Sequence, residues 1–263
     1  MLSAPMGRSS GLSQGYNEMS ANKPAAANPA IVSRFQDGVS GAGSLSRNVR
    51  RQGALAVMNQ ESTDLLNVVP LQPRDIQSLL SSAPFQWWIA GGWALDLFTG
   101  EQSRPHFDTD VAVARRDQTV AQQYLRGWDF QYAVPGTIDP VVFERWEIGQ
   151  TLGHKIHGSW ARENSSSPWR FEFLLHEIEQ EVWSFRYGPG VRHPLSRIGS
   201  STPDGIFYLR PEIALLYKAA RLRKMDEADF RRVLPHLSSG QRTQLAADII
   251  HCWPEHPWLD LLR

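Results

Sequence analysis

Two consecutive glycines, Gly91 and Gly92, end a short apolar run with the sequence Gln-Trp-Trp-Ile-Ala over residues 86–90. An apolar run of about five residues bounded by glycine is typical of a buried strand. Residues 93–98 then take up helical spacing, and Gly100 ends that segment. Glycine at such a junction lets backbone amides approach an anion at the N-terminus of a helix. The pattern predicts a strand, a phosphate-binding glycine turn and a short helix.

Two aspartates follow this unit after a polar loop over residues 101–107. The segment from Asp108 to Val113 has the apolar content of a second strand, with Thr109 between its two acids. Side chains two residues apart on a strand point to the same face, so Asp108 and Asp110 are expected to project together. Their mutual repulsion is removed by a divalent cation, and Mg²⁺ prefers such hard oxygen ligands. The pair predicts a magnesium site that also receives the phosphates of a nucleotide.

A third acid, Glu172, interrupts the apolar segment from Trp169 to Leu175 and alternates with Phe171 and Phe173. A lone carboxylate in such a strand is poor core material. We expect it to join the two aspartates, either as a metal ligand or as the base that deprotonates an attacking hydroxyl. Two or three acids around Mg²⁺ would support in-line displacement of pyrophosphate from a nucleoside triphosphate.

The rest of the pattern predicts an α+β fold. A helix is expected from residue 72 to residue 82, and Asp117 is placed to cap another helix that extends to about Gly127. Beyond Pro211 the apolar residues repeat at helical spacing, so a mixed sheet flanked by helices should be followed by a C-terminal bundle of three or four helices. Further strands are predicted at 128–134, 141–146, 155–160, 169–175 and 182–187.

Composition excludes several classes of protein. The net charge is zero, with 27 basic and 27 acidic residues, so a nucleic-acid substrate is not expected. A lone cysteine, Cys252, can form neither an internal disulfide nor a structural zinc site, which favours a reducing, cytoplasmic setting. No apolar run reaches the length of a membrane-spanning helix, so no membrane partner is expected.

Residues 1–57 differ in composition from the rest of the chain. They are rich in Ser, Ala, Gly and Asn, and they hold six basic residues but only two acids, Glu18 and Asp37. This composition indicates a disordered N-terminal extension. Organelle transit peptides share some of these traits, but the amphipathic period of such a peptide is missing here. The patterned region begins at Met58.

The motifs resemble those of a known family. Gly91-Gly92-Trp93-Ala94, followed by Arg104-x-His106-x-Asp108-x-Asp110, resembles the signature of the aminoglycoside and lincosamide nucleotidyltransferases, within the polymerase-beta-type nucleotidyltransferase superfamily. The gap of 15 residues between Gly92 and Asp108 is slightly longer than usual there. Segments near Trp183, Tyr208, Leu216 and Asp226 resemble relatives as well, so the resemblance spans about residues 87–262.

The resemblance implies roles for individual residues. Metal binding carries over to Asp108 and Asp110, whereas Glu172 stands where the family usually has Asp, which leaves its role open between ligand and base. Lys218 resembles a helical lysine that contacts the triphosphate, and Gly91 and Gly92 would cradle it. Arg104 and His106 are candidates for contacts with substrate or phosphate, although both could instead pair with nearby acids. The resemblance also divides the patterned region into a nucleotidyltransferase domain at 58–209 and the bundle at 210–263.

The function expected from these residues is Mg²⁺-dependent transfer of a nucleoside monophosphate from a nucleoside triphosphate to a hydroxyl of a small molecule. The resemblance suggests AMP as the transferred group, ATP as the donor, and an aminoglycoside- or lincosamide-like antibiotic as the acceptor. Two alternatives remain open. One is a transferase that modifies a protein side chain with AMP, and the other is a non-catalytic nucleotide-binding module with the same fold.

Overall fold

The structure is a computed structural model that describes residues 67–137 and 141–263. The extension predicted at 1–57, and the start of the predicted domain at residues 58–66, lie outside the described residues. Within the described ranges the chain forms one large mixed sheet with helices packed on it. The predicted α+β class is thereby confirmed.

The described residues contain seven α-helices and ten strands. Three helices accompany the strands in the first part of the chain, and four follow the last strand. The helices are α1 (Pro73–Leu79), α2 (Gly91–Thr99), α3 (Gln118–Tyr124), α4 (Pro211–Ala219), α5 (Lys224–Val233), α6 (Ser239–Cys252) and α7 (Leu259–Leu262). The strands are β1 (Trp87–Ile89), β2 (Asp110–Ala114), β3 (Asp129–Ala133), β4 (Phe143–Arg145), β5 (Gly158–Arg162), β6 (Phe171–Glu179), β7 (Val182–Ser184), β8 (Arg192–Pro194), β9 (Gly199–Ser201) and β10 (Phe207–Leu209).

The strands pair in the order β4-β3-β5-β6-β2-β1-β10-β9. Outside this order, β7 pairs with the end of β6, and β8 pairs with β7. Two adjacent pairs, β2 with β6 and β1 with β10, are parallel, and the other pairs are antiparallel. Strand β2 lies in the centre of the sheet, and all five of its residues are buried. A central strand covered on both faces explains why Val111, Ala112 and Val113 form a continuous apolar run rather than an alternating one.

The first helix of the diglycine unit begins earlier than the sequence indicates. Gly91 and Gly92 were expected to form a turn before a helix over residues 93–98, but they form the first residues of α2, with Ala90 as the N-cap. Gly91 has a φ of +61°, which permits the sharp entry from β1 into α2. Gly100 ends the helix in the left-handed conformation that glycine favours at this position.

The four C-terminal helices form the predicted bundle, and α4 is its centre. Pro211 is the first residue of α4, as expected, and eight of the nine residues of this helix are buried. The buried side chains of α4 belong to the same apolar core as those of β1 and β2, as Ile213, Leu216, Ile89 and Val111 illustrate. The boundary predicted between residues 209 and 210 falls between β10 and α4.

Most of the predicted elements are present with shifted ends. The strand expected over residues 155–160 lies at β5, and the one expected over 169–175 extends further, to Glu179. The prediction that Asp117 caps α3 is wrong in detail, because this residue holds the N-cap position without a side-chain hydrogen bond to the helix. Strands β8, β9 and β10 were not predicted.

None of the helices that the structure describes in these two ranges is both long enough and apolar enough to cross a lipid bilayer.

Candidate active site

Asp110 and Glu172 lie side by side on the sheet. They are paired residues of the parallel strands β2 and β6, so their side chains leave the same face from backbones about 4.8 Å apart. Together with Gly91 they line a cavity of about 240 Å³ between the sheet and α4. Asp110 is almost fully buried, at 4% exposed. The structure therefore brings together two of the three predicted acids, next to the first glycine of the diglycine unit.

Asp108 lies apart from this pair. Strand β2 begins at Asp110, so Asp108 belongs to the loop before it, and it lines a smaller neighbouring cavity with Gly92 and Arg104. Thr109, between the two aspartates, points to the opposite side, where its hydroxyl donates a 2.6 Å hydrogen bond to the carbonyl of Leu71. Within residues 67–137 and 141–263, no three His, Cys, Asp or Glu side chains are grouped closely enough to enclose a metal ion. The expected convergence of all three acids on one ion is therefore not present in this structure.

Side chains of β2 and of the loop before it lie very close to the backbone of Gly91 and Gly92. A Cβ atom on Gly91 would collide with Oδ2 of Asp110. A Cβ atom on Gly92 would lie 2.6 Å from Cε1 of His106 and 2.8 Å from a terminal guanidinium nitrogen of Arg104. Real Cβ contacts are not this short, so the start of α2 can approach the acid-bearing strand and the loop before it only because both residues lack a side chain.

His106 and Arg104 are engaged with acids of the protein. Nε2 of His106 is 2.6 Å from the buried carboxylate of Asp96 on α2, and its ring lies against Trp93, with a distance of 4.3 Å between the centroids. Arg104 lies 3.5 Å from the carboxylate of Asp229 on α5. The sequence left two roles open for Arg104 and His106, contact with substrate or phosphate and pairing with nearby acids. The structure shows the pairing with acids. Arg104 also lines the cavity that holds Asp108.

Lys218 on α4 lines both cavities. Its ammonium group lies 2.7 Å from the carboxylate of Asp229 and 3.3 Å from that of Asp226. Asp226 also accepts a 2.8 Å hydrogen bond from Nε of Arg223. Burial acts to raise the pKa of Asp226, but the hydrogen bonds and charges of Arg223 and Lys218 lower it overall. The lysine is thus held in a fixed position between the acids of α5 and the cavity.

Several cavity residues were missed by sequence reasoning. The cavity that holds Asp110 is also lined by three basic residues from separate segments, Lys155, Arg186 and Arg221, and by His157 and Tyr217. Burial, followed by the charges of Arg186, Arg115 and Arg221, lowers the pKa of His157 to about 4, although this residue keeps an exposed edge. Burial also raises the pKa of Tyr217 to about 12. Arg186 and Tyr217 lie in segments that resemble relatives, but the sequence gives these residues no role, so only their meeting in three dimensions identifies them as cavity residues.

The residues at the acid end of the cavity suit Mg²⁺ and a triphosphate chemically. Asp110 and Glu172 supply hard oxygen atoms, which Mg²⁺ prefers, and Asp108 lines the adjoining space. Gly91 lines the cavity at the start of α2, and backbone amides at a helix N-terminus suit a phosphate. Lys218 and Arg223 bring positive charge to both cavities. This set of donors fits the group expected from the sequence, although the three carboxylates are not gathered around one point.

Comparison with known proteins supports the same class. Residues 74–150 match the family model described as aminoglycoside-2''-adenylyltransferase. This range includes β1, α2 and β2, and with them Asp108 and Asp110. A comparison with curated protein sequences gave no match.

Three solved structures are similar to part of this chain at low identity. They are a solution structure of the antibiotic-resistance factor ANT(2'')-Ia (13% identity, 66% of this chain and 87% of that chain, TM-score 0.43), a crystal structure of ANT(2'')-Ia with adenylyl-2''-tobramycin (12%, 66% and 93%, 0.45), and a crystal structure of the lincosamide antibiotic adenylyltransferase LnuA with lincomycin bound (16%, 64% and 97%, 0.43).

Residues 74–150 of this chain are thus similar in sequence to a family of nucleotidyltransferases. The matched range contains the Gly91-Gly92 unit and both aspartates of the motif, in agreement with the resemblance expected from the sequence.

Proposed function

We propose that this protein transfers a nucleoside monophosphate, AMP from ATP, to a hydroxyl group of a small molecule in a reaction that requires Mg²⁺. The observation that carries this proposal is the placement of Asp110 and Glu172 as paired residues on parallel strands, at the floor of a cavity bordered by Gly91 and Lys218. Acids on a rigid sheet can hold a metal-bound triphosphate in one orientation, and positioning of this kind accounts for most of catalysis in phosphoryl transfer.

Each group at this end of the cavity has a distinct proposed role. Asp110 and Glu172 would hold the ion, with Asp108 contributing from the adjoining loop, and the bound ion would neutralise negative charge on the phosphates. The backbone of Gly91 and Gly92, at the N-terminus of α2, would face the phosphates. Lys218 would contribute a point charge to the triphosphate from the opposite side.

Glu172 is also the proposed general base. In the reaction, the acceptor oxygen forms a bond to the α-phosphorus, the bond from this phosphorus to the pyrophosphate oxygen breaks, and the hydroxyl proton passes to the carboxylate of Glu172. Glu172 is the residue of β6 that pairs with Asp110 of β2. This neighbouring position supports the proposed role, because a base must lie close to the metal-bound phosphate. The pyrophosphate leaves with both electrons of the broken bond.

The size of the cavity favours a small acceptor. A volume of about 240 Å³ is slightly below the usual range for small-molecule sites, which is roughly 300–1,000 Å³. The walls are formed by apolar side chains such as Val134 and Leu174 as well as by charged ones. This combination of size and lining suits a compact hydroxyl compound.

The experiment combines binding with turnover. The full-length protein is titrated calorimetrically with each of the four nucleoside triphosphates and Mg²⁺, and pyrophosphate release is then measured with aminoglycosides, lincosamides and other hydroxyl compounds as acceptors. We expect ATP to bind and at least one acceptor to release pyrophosphate, and the Asp110→Asn variant to lose this release while it keeps the far-UV circular dichroism spectrum of the wild type. If no triphosphate binds in the presence of Mg²⁺, the proposal is wrong. Binding without release on any acceptor would indicate the non-catalytic module instead.

A further inference from the structure

The cavity has two ends of different character along strand β6. Glu172, Leu174 and His176 alternate on this strand, so all three point to the face that lines the cavity. A strand rises about 3.3 Å per residue, which places His176 about 13 Å from Glu172 along the chain. The acid end contains Asp110 and Glu172, and the end near His176 contains no acid among the described lining residues.

Three cations lie at the end near His176, and we call Lys155, Arg186 and Arg221 the basic cluster. The guanidinium group of Arg186 lies 5.3 Å from the ring centroid of Tyr217, and this ring lies 5.2 Å from that of His176. Lys155 precedes β5 in the segment that ends at His157, whose carbonyl accepts a 2.8 Å hydrogen bond from the amide of Leu175.

Arg221 completes the basic cluster from the bundle. It follows α4, where its amide donates a 3.0 Å hydrogen bond to the carbonyl of Lys218. Arg186 and Arg221 both line the cavity, the first from the segment after β7 and the second from the segment after α4. Three separate segments therefore bring positive charge to one place.

The basic cluster differs from the other cations around the cavity. Arg115 pairs with Glu177 at 2.7 Å, Lys218 with Asp229 at 2.7 Å and Arg223 with Asp226 at 2.8 Å. Arg186 instead lies against two aromatic rings, with its guanidinium carbon 5.4 Å from the ring centroid of Tyr187 and 5.3 Å from that of Tyr217.

The side chain of Arg186 carries an unsatisfied donor. Its Nε atom is buried and has no hydrogen-bond partner. A buried donor without a partner costs stability. An arginine in this condition at a cavity wall is suited to a ligand that supplies the missing acceptor oxygen atoms.

We propose that the basic cluster binds an anionic group, a carboxylate or a phosphate, on the acceptor molecule. This inference rests on the proposed function, because it assigns the triphosphate to the acid end, with Gly91 and Lys218, and the acceptor to the other end. The apolar and aromatic lining between the two ends, which includes Leu174 and Tyr217, would contact the body of the acceptor. A polycationic aminoglycoside would meet like charges at this end, so it is disfavoured as the natural acceptor.

Calorimetry with inorganic phosphate as the probe tests this subsite. The full-length protein is first saturated with Mg²⁺ and a non-hydrolysable ATP analogue, and phosphate is then titrated into the loaded protein. We expect phosphate to bind, and the Arg186→Gln variant to weaken this binding about tenfold or more while it leaves the affinity for the analogue unchanged. Arg221→Gln provides a second variant in case loss of the Arg186 side chain disturbs the packing around Tyr217. Arg116→Gln, in an exposed pair with Glu181 outside the cavity, is the matched control and should change neither affinity.

The outcomes separate this inference from the proposed function. If both cluster variants weaken binding of the analogue and the loaded wild-type protein binds no phosphate, the basic cluster serves the triphosphate and the inference is wrong. It is also wrong if tobramycin, a polycation, binds the loaded protein more tightly than phosphate does. If the analogue does not bind the wild-type protein at all, the proposed function fails, and phosphate titrated into the free protein and its Arg186→Gln variant still decides whether the basic cluster is an anion site.

Discussion

Gly91 and Gly100, at the two ends of α2, both have backbone angles in the left-handed region, with φ of +61° and +81°. Their surroundings differ, because a Cβ on Gly91 would strike the carboxylate of Asp110, whereas nothing lies within 4 Å of a Cβ on Gly100. Alanine at either position costs about 1–2 kcal/mol of backbone strain. We predict that Gly91→Ala also displaces Asp110 and abolishes nucleotidyl transfer, and that Gly100→Ala retains it. Pyrophosphate release and urea denaturation of both variants measure the two effects.

The matched pair makes this prediction specific to the site. Both variants carry the same substitution on the same helix, so a general effect of strain on folding would appear in both. Equal activity of Gly91→Ala and Gly100→Ala would show that the close approach of Gly91 to Asp110 has no part in the reaction.

His176 gives the protein a pH-dependent stability. Burial, followed by the charges of Arg186 and Arg115, lowers the pKa of His176 to about 3 from an ordinary value of 6.5. The unfolded chain therefore binds a proton at this residue that the folded protein excludes, so the stabilising contribution is complete above pH 6.5 and is lost as the pH falls toward 3. From this residue alone we predict a loss of about 2 kcal/mol in the free energy of unfolding between pH 7 and pH 5.

The His176→Asn variant isolates this contribution. Nδ1 of His176 accepts a 2.9 Å hydrogen bond from the indole of Trp183, and an asparagine carbonyl can accept the same hydrogen bond without titrating. Urea denaturation at pH 5, 6 and 7 should show a smaller pH dependence for the variant than for the wild type. An unchanged pH dependence would mean that His176 is not the residue that excludes the proton.

The sequence predicts the acid end of the site better than the basic end. Asp110 and Glu172 stand out because the first begins an apolar strand and the second interrupts one, and their strands carry a strong local signal. The basic cluster has no such signal. Arg186 and Arg221 follow a strand and a helix at exposed-looking positions, and only long-range packing around Tyr217 brings the first of them to the cavity wall. Arg186 and Arg221 are 35 positions apart in the sequence, so their spacing gives no indication that they line the same cavity.

At the scale of elements, Asp96 connects α2, the loop before β2 and the bundle. Its carboxylate lies 2.8 Å from the hydroxyl of Ser103, 2.6 Å from Nε2 of His106 and 2.7 Å from a terminal nitrogen of Arg232 on α5. Burial acts to raise the pKa of Asp96, but the hydrogen bonds from His106 and Ser103 and the charges of His106 and Arg232 lower it overall. The loop that presents Asp108 is therefore fixed by one buried carboxylate.

We predict that Asp96→Ala destabilises the protein by about 3 kcal/mol or more, because His106 and Arg232 would lose their buried partner. The activity of the remaining folded protein should also fall, since the Asp108 loop would no longer be held. Urea denaturation and pyrophosphate release measure the two effects. The control is Asp260→Ala, which removes a carboxylate from an exposed pair with Arg263 and should change neither quantity. A stable Asp96→Ala protein would show that the loop is fixed by other contacts.

Elements with a strong periodic or apolar signal are predicted, and short ones are not. Strands β8, β9 and β10 have three residues each, and Gly199–Ser201 contains no apolar residue. Such a segment becomes a strand because a neighbour supplies its hydrogen bonds, as β10 does for β9. The start of α2 at Gly91 was missed for a related reason, because glycine has a low helix propensity and only the close packing on β2 places it there.

At the scale of the whole molecule, α4 joins the sheet and the bundle. A helix buried around its whole circumference must belong to the interior of the protein rather than to its surface. Ile213, Leu215 and Leu216 are fully buried in the core that also contains β1 and β2, and Lys218 on the same helix lines the cavity. The part of the chain that holds the acids and the part that holds the lysine are therefore one structural unit.

This arrangement predicts that sheet and bundle unfold together. Leu215→Ala should leave a void in the shared core and lower the free energy of unfolding by about 2–5 kcal/mol. The control is Leu261→Ala on α7, where the side chain is 41% exposed and the change should be small. Urea denaturation would be followed by tryptophan fluorescence, by far-UV circular dichroism and by binding of an ATP analogue. The three curves should coincide for each protein and shift together in Leu215→Ala, because loss of α4 packing removes the core of the sheet and the position of Lys218 at once. Two separate transitions, with only the bundle affected by Leu215→Ala, would mean that the boundary after residue 209 divides independent domains.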